Sequence, residues 1–328
     1  MYVKALGSGL VLWIALASSS YAAPVALAEP WLQRMQSAYA EQGYQGAFVY
    51  ERKGAFTTHQ VWRQVNGQGQ LVERFLQLNG PAHEVIRINK QVTCNSAGIA
   101  NERPATDIWP VAALDLQDLQ QWYEVRVLGE SRVAGQPASV LFFSPRDQHR
   151  YAVELHLDQA TAIPLKTLLL NEQGQLLERL EFVQFQAYVD PAQAAAQQNL
   201  VKPSAECLPV NTDKRVEAAR AGVDWVVDWV PQGFVLLNSH YQQGQDGSEG
   251  VLSRVYSDGL AHFSVFFENI SHLEVEGGRH QLGPTAVVSR KAVQGAKIIM
   301  VTVVGEIPLG SAERIALSMR GEQEAIDD

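Results

Sequence analysis

Two kinds of hydrophobic patterning divide the chain. At its start, Lys4 precedes an unbroken apolar run from Leu10 to Ala17, and small residues come next from Ser18 to Ala23 and at Ala26–Ala28. Charged, apolar and small-residue segments in that order predict a secretory signal, cleaved after Ala22, Ala23 or Ala28. The apolar run is too short to span a bilayer as a helix. Beyond it, apolar residues three and four apart (Leu32, Met35, Ala38, Tyr39) predict a short helix opened by Pro30 and ended by Gly43. The period then drops to two. Strands are predicted at 44–50, 57–65, 70–78, 84–88 and 91–94, with turns at Asn66-Gly67 and Asn79-Gly80-Pro81. After an irregular stretch with a short helix at Leu114–Leu119, strands resume at 123–128, 138–143, 151–157, 164–170 and 176–185. Successive hairpins of this kind predict a large open or half-closed antiparallel barrel, with a closed barrel and a sandwich as alternatives.

The pattern breaks once more. Ala192–Gln198 is rich in Ala and Gln, and prolines stand just beyond it at Pro203 and Pro209, which marks a linker. Asp213–Ala221 predicts a helical turn. The chain then returns to strands at Trp225–Val230, Phe234–Leu237, Val251–Tyr256, Ala261–Glu268, Ala286–Arg290 and Ala296–Val304, with a turn at Ser257-Asp258-Gly259-Leu260. Ser311 is placed to cap a final helix carrying Ala312, Ile315, Ala316, Leu317 and Met319. The fold class is therefore mainly β with α: a large sheet domain followed by a smaller α+β domain.

Composition narrows the function. The chain has 328 residues, 46% of them apolar, which suits two domains with real cores. A net charge of -9 without a basic tract argues against nucleic acid as a partner. The two cysteines, Cys94 and Cys207, either form a disulfide in an oxidising compartment or remain two buried thiols. No catalytic constellation assembles. The histidines fall in no closely spaced metal motif, Ser144-Pro145-Arg146-Asp147 is not a nucleophile elbow, and no phosphate-binding loop lies in the mature chain. No cofactor and no metal is expected. Phe48, Tyr50, Val61 and Trp62 line a sheet face that either holds an acyl chain or fills the fold's own core.

Several segments, taken in order, resemble the RseB/MucB family of periplasmic regulators of envelope-stress sigma factors. They begin at Trp31 and Tyr44-Gln45-Gly46 and continue through Trp122-Tyr123-Glu124-Val125 and Arg132-Val133-Ala134-Gly135. Ser144-Pro145-Arg146-Asp147 with Arg150-Tyr151, and Pro164-Leu165-Lys166, extend the likeness. In the second domain it rests on Trp229-Val230-Pro231-Gln232-Gly233-Phe234, Tyr256–Ala261, Phe263–Phe266 and Val301–Pro308.

The resemblance implies a LolA/LolB-like unclosed β-barrel whose concave face accommodates lipid, and a smaller domain that contacts the periplasmic region of a RseA/MucA-like anti-sigma factor. It divides the chain into a signal peptide at 1–28, a lipid-sensing domain at 29–190, a linker at 191–212 and an anti-sigma-binding domain at 213–328. It implies a periplasmic, non-enzymatic protein that shields its partner from site-one proteolysis. Lipopolysaccharide or a lipoprotein acyl chain would be the release signal, and a homo-oligomer is compatible with it. A lipoprotein carrier or chaperone is the alternative function. On this reading Phe48, Trp62, Arg87 and Arg132 are the lipid-facing candidates, with core packing or surface charge as their plainer roles. Arg254, Tyr256, Phe263 and Phe266 are the candidates for anti-sigma binding, with core packing as the plainer role of the aromatics. A Cys94–Cys207 bond would limit movement between the domains.

Overall fold

The computed structural model describes residues 28–321 except 82, 90, 97–115, 189–201, 203, 205–206, 210–224, 243–249, 271–275 and 295–296. The secretory signal, most of the expected linker and the helical turn at 213–221 lie outside the described residues, as does the start of the expected helix at 114–119.

Helix α1 (Glu29–Glu41) forms where the three-and-four spacing places it, with Pro30 in its first turn and Leu32, Met35, Ala38 and Tyr39 buried. The first sheet is built from β1 (Tyr44–Arg52), β2 (Ala55–Val65), β3 (Leu71–Gln77), β4 (Glu84–Ile88) and β5 (Gln91–Ser96). Helix α2 (Leu116–Trp122) leads into β6 (Tyr123–Val133), β7 (Gln136–Pro145), β8 (Ala152–Asp158), β9 (Pro164–Leu170) and β10 (Leu176–Ala187). A short β11 (Cys207–Pro209) completes the sheet. Its order is β11-β5-β4-β3-β2-β1-β10-β9-β8-β7-β6, so two meanders are joined through β1 and β10 and the end strands stay apart. The sheet is antiparallel and unclosed. Helix α1 packs on one face: Leu32, Met35 and Tyr39 meet Leu141, Phe143 and Leu155, while Ala38 meets Tyr44, Phe48 and Phe182.

β11 belongs to the stretch expected as linker. It pairs with β5, and Cys94 and Cys207 are joined with their Cα atoms 5.5 Å apart. The upstream chain is fixed beside it by Glu84, which accepts the backbone N–H and the hydroxyl of Ser204 and, at 2.6 Å, Arg74 Nε. Burial pushes the Glu84 carboxyl up, but these hydrogen bonds from Ser204 and Arg74 hold it below the usual carboxylate range. The connection between the domains is thus partly built into the first sheet.

The second domain contains β12 (Trp225–Val227), β13 (Val235–Gln242), β14 (Val251–Ser257), β15 (His262–Asn269), β16 (Gly278–Leu282), β17 (Thr285–Gln294) and β18 (Lys297–Gly305). Helix α3 (Leu309–Leu317) and β19 (Met319–Gly321) end it. The sheet order is β13-β14-β15-β18-β17-β16, and β12 pairs with β19 alongside. Ala312, Ile315 and Ala316 of α3 close the core over Phe263, Val265, Val301 and Val303. Ser311 is not the cap. The helix starts after Pro308 without a side-chain cap, and Ser311 lies inside it, buried and turned toward the first domain. Among the described residues no helix is long and apolar enough to cross a membrane.

Candidate functional site at the domain junction

The two domains meet around one guanidinium. Arg150 lies in the loop between β7 and β8, and both its side chain and that of Asp258 are fully shielded from solvent. Arg150 donates Nε and Nη2 to the two oxygens of Asp147 at 3.1 and 2.9 Å, a bidentate pair within the first domain. Its Nη1 crosses to Asp258 Oδ2 at 2.8 Å, and Nη2 also donates to the Gln232 carbonyl. The Tyr123 hydroxyl donates to the same Asp258 oxygen at 3.1 Å. Asp258 Oδ1 meanwhile accepts the N–H groups of Leu260 and Ala261, so the carboxylate shapes its own turn while facing the other domain. Every partner of this buried charge is therefore a named group, which is the condition for keeping an ion pair out of water.

Aromatic rings enclose it. Phe234, Trp122 and Tyr123 lie 5.1, 5.5 and 5.5 Å from the Arg150 guanidinium carbon. Gly233 presses against the Trp122 indole at φ +86°; a Cβ there would fall 2.3 Å from Nε1, so the approach needs glycine. Burial pushes the Asp258 carboxyl up, opposed by Arg150 and by the N–H groups of Ala261 and Leu260. Burial, reinforced by the Asp258 charge, pushes the Tyr123 hydroxyl well above its ordinary range and keeps it a donor.

Further contacts extend the junction. His149 bonds Ser311 Oγ at 3.0 Å and meets the Trp229 ring edge-on at 5.1 Å, while Arg314 caps Trp229 at 3.9 Å. Tyr151 donates to the Ile307 carbonyl at 3.2 Å. Arg52, at the tip of β1, reaches Thr285 and Glu306. A groove of about 460 Å³ opens beside the 145–150 loop, lined by Phe142, Arg146, Asp147, Arg150, Leu170 and Glu172. Among the described residues no cluster of His, Cys, Asp and Glu is arranged to hold a metal ion.

The candidates read from the sequence separate by strand parity. Phe48 and Arg87 share the face that α1 partly covers: Phe48 is fully buried and stacks on His59 at 5.1 Å, and Arg87 lies 5.8 Å from the Phe75 ring. Trp62 points to the opposite face, under Arg74 at 4.8 Å, because Phe48 pairs with His59 and alternate residues reverse. Arg132 is exposed at the end of β6 and donates to the Gly135 carbonyl at 3.2 Å. In the second domain, Tyr256 and Phe263 stack at 5.0 Å inside the core. Arg254 lies over Phe267 at 5.3 Å and donates to the Trp225 carbonyl at 2.8 Å. Phe266, half-buried, is the one of the four on the sheet face away from α3. The structure thus puts Tyr256 and Phe263 in the core instead of on a surface, since β15 alternates between an apolar core face and a mixed outer face. Arg150, Asp147, Tyr123 and Asp258 are absent from those candidates, although the runs that contain them carry the family resemblance.

His59 gives a testable consequence of this packing. Burial, helped by His83, pulls its pKa down to about 4. The unfolded chain therefore binds a proton between about pH 6.5 and 4 that the folded chain does not, and stability falls as pH drops through that window. Denaturant midpoints measured from pH 7 to 4 should decline more steeply for the native chain than for His59→Gln. Parallel declines would remove His59 as a contributor.

Comparison with known proteins places the whole assembly. A family model described as the MucB/RseB N-terminal domain matches residues 27–205, and one described as the MucB/RseB C-terminal domain matches residues 219–320. The chain is 45% identical over 298 residues to the sigma factor AlgU regulatory protein MucB of Pseudomonas aeruginosa, covering 91% of this chain and 92% of that one. It is 26% identical over 315 residues to the sigma-E factor regulatory protein RseB of Haemophilus influenzae, covering 93% and 95%. Among solved structures, MucB in complex with MucA(peri) superposes with a TM-score of 0.76 at 44% identity, covering 90% of this chain and 99% of that one. A crystal structure of MucB gives 0.70 at 44% identity, covering 90% and 98%. Matched along both domains, and 45% identical to a relative over 91% of its length, the chain belongs to the MucB/RseB family.

Proposed function

We propose that this protein is a periplasmic regulator that binds the periplasmic region of a membrane-bound anti-sigma factor and shields it from the site-one protease. The observation that carries the reading is the likeness across both domains to a protein crystallised with MucA(peri). The junction supports it physically. A shield that spans two domains needs their orientation fixed, and the Arg150–Asp258 pair with its aromatic surround supplies that constraint.

Release uses the same geometry. A lipid or lipoprotein acyl chain entering the first domain, on the face that holds Phe48 and Arg87, favours a domain arrangement that binds the anti-sigma factor less well. Such a ligand acts only through its different affinity for the two arrangements. Nothing in this mechanism requires a catalytic step. The test is cleavage of the recombinant periplasmic region by the site-one protease with and without this chain, where slower cleavage is expected in its presence.

A further inference from the structure

Each long sheet has two end strands, and three of these four edges are blunted by proline, charge or a tie to a neighbouring helix. β11 is three residues long and contains Pro209. β6 carries exposed Glu124, Arg126, Glu130 and Arg132 and is interrupted by a bulge between Val127 and Gly129. β16 carries Arg279, tied at 2.8 Å to Glu313 of the neighbouring helix α3. Shortness, proline, charge, bulges and covering helices are the devices that stop an edge from pairing with another chain.

β13 has neither charge nor proline, and its irregularity is a register shift against β14 between Leu236 and Asn238. It reads Val-Leu-Leu-Asn-Ser-His-Tyr-Gln over Val235–Gln242, and its outer side pairs with no strand among the described residues. Val235, Leu236 and Leu237 are 59, 51 and 57% exposed, three consecutive large apolar residues on an edge. Such an edge attracts added strands unless something covers it. The strand leaves the domain junction directly: the preceding residue, Phe234, packs on Arg150.

We propose that the open edge of β13 is a strand-addition site for an extended, uncharged segment of the anti-sigma factor's periplasmic region. This rests on the function proposed above and specifies where that partner is gripped. Backbone hydrogen bonds along 235–242 would supply affinity, and the apolar triplet would select a segment with apolar residues at matching positions. Continuity with the junction favours this occupant. A segment lying on β13 runs up to Phe234 and the Arg150 pair, so its binding reads the domain arrangement. A second copy fits less well. Full-length antiparallel self-pairing sets Val235, Leu236 and Leu237 against Gln242, Tyr241 and His240, leaving the two apolar triplets apart.

The experiment uses the full mature chain and the recombinant anti-sigma periplasmic region. Affinity is measured by calorimetry for the native chain and for V235K/L237K, with thermal melting as the check on folding. Hydrogen exchange of the native chain with and without the partner reads the edge itself. At least a tenfold loss of affinity in the variant at unchanged melting temperature, with slowed amide exchange across 235–242 on binding, is expected. Native binding with equal variant affinity and no slowing on β13 overturns strand addition and leaves the proposed function standing. Failure of the native chain to bind overturns both. A dimer that the two lysines dissociate, with partner affinity unchanged, assigns the edge to a second copy and overturns the proposal.

Discussion

Replacing Arg150 with methionine is expected to loosen the two domains from one another while leaving each folded. Methionine keeps the apolar stem among Trp122, Tyr123 and Phe234 but strands the Asp258 carboxylate, which has no exposed surface of its own. Removing one partner of a buried, hydrogen-bonded pair costs about 3–5 kcal/mol. Asp258 recovers much of that by regaining water, and water reaches it once the domains part. The closed arrangement should therefore lose about two to three orders of magnitude in population relative to open ones. Small-angle scattering should show a larger radius of gyration, and one thermal transition should become two. Adding Asp258→Leu to Arg150→Met removes the stranded charge and should restore part of the closed population. Identical scattering from the native chain and Arg150→Met would show that other contacts set the orientation.

The second large effect is expected at the opposite end of the strand order. Cys94 and Cys207 are 113 residues apart in sequence, and their bond ties β11 to β5, whereas Arg150 lies between β7 and β8. On the chain-entropy account, a loop of that length contributes about 4–5 kcal/mol by restricting the unfolded chain. Without the bond, the edge holds a three-residue strand and a small cluster of Val72, Ile86 and the two cysteine side chains. Cys94→Ala/Cys207→Ala should thus unfold at a distinctly lower denaturant concentration, with faster amide exchange at Cys207 and Leu208. Because the pair is remote from the Arg150 network in the strand order, scattering of the folded variant should match the native chain. A changed radius of gyration without loss of stability would instead make the bond a restraint on domain orientation.

Much of the fold is legible from periodicity. Leu32, Met35, Ala38 and Tyr39 announce α1, and alternation with turn residues announces the meanders. The strand at Gly278–Leu282 escapes a reading by period because it is a polar edge strand: Gly-Arg-His-Gln-Leu buries too little to alternate. β11 escapes it because three residues carry no period. Face assignment fails for a different reason. Phe48 and Trp62 both look suited to one lining, but the turn at Lys53-Gly54, both residues at positive φ, pairs Arg52 with Ala55. That register sets even positions of β1 opposite odd positions of β2, and Trp62 goes to the other side.

The junction is present in the sequence without being recognisable as one. Ser144–Asp147, Arg150-Tyr151, Trp229–Phe234 and Tyr256–Ala261 all stand out through family resemblance, and the structure brings them to a single place. Arg150 and Asp258 are 108 positions apart, so no local period relates them. Arg132, the charged candidate beyond the strand expected at 123–128, stays at the surface. The charges that join the domains are instead those that folding buries.

Protection of the anti-sigma periplasmic region against the site-one protease, measured side by side with native chain and Arg150→Met, tests the central claim most directly. The account predicts that a saturating amount of native chain slows cleavage at least tenfold, and that the folded Arg150→Met variant protects markedly less at the same concentration. Unchanged cleavage in the presence of the native chain would contradict shielding, and equal protection by the two would contradict a role for the fixed domain orientation.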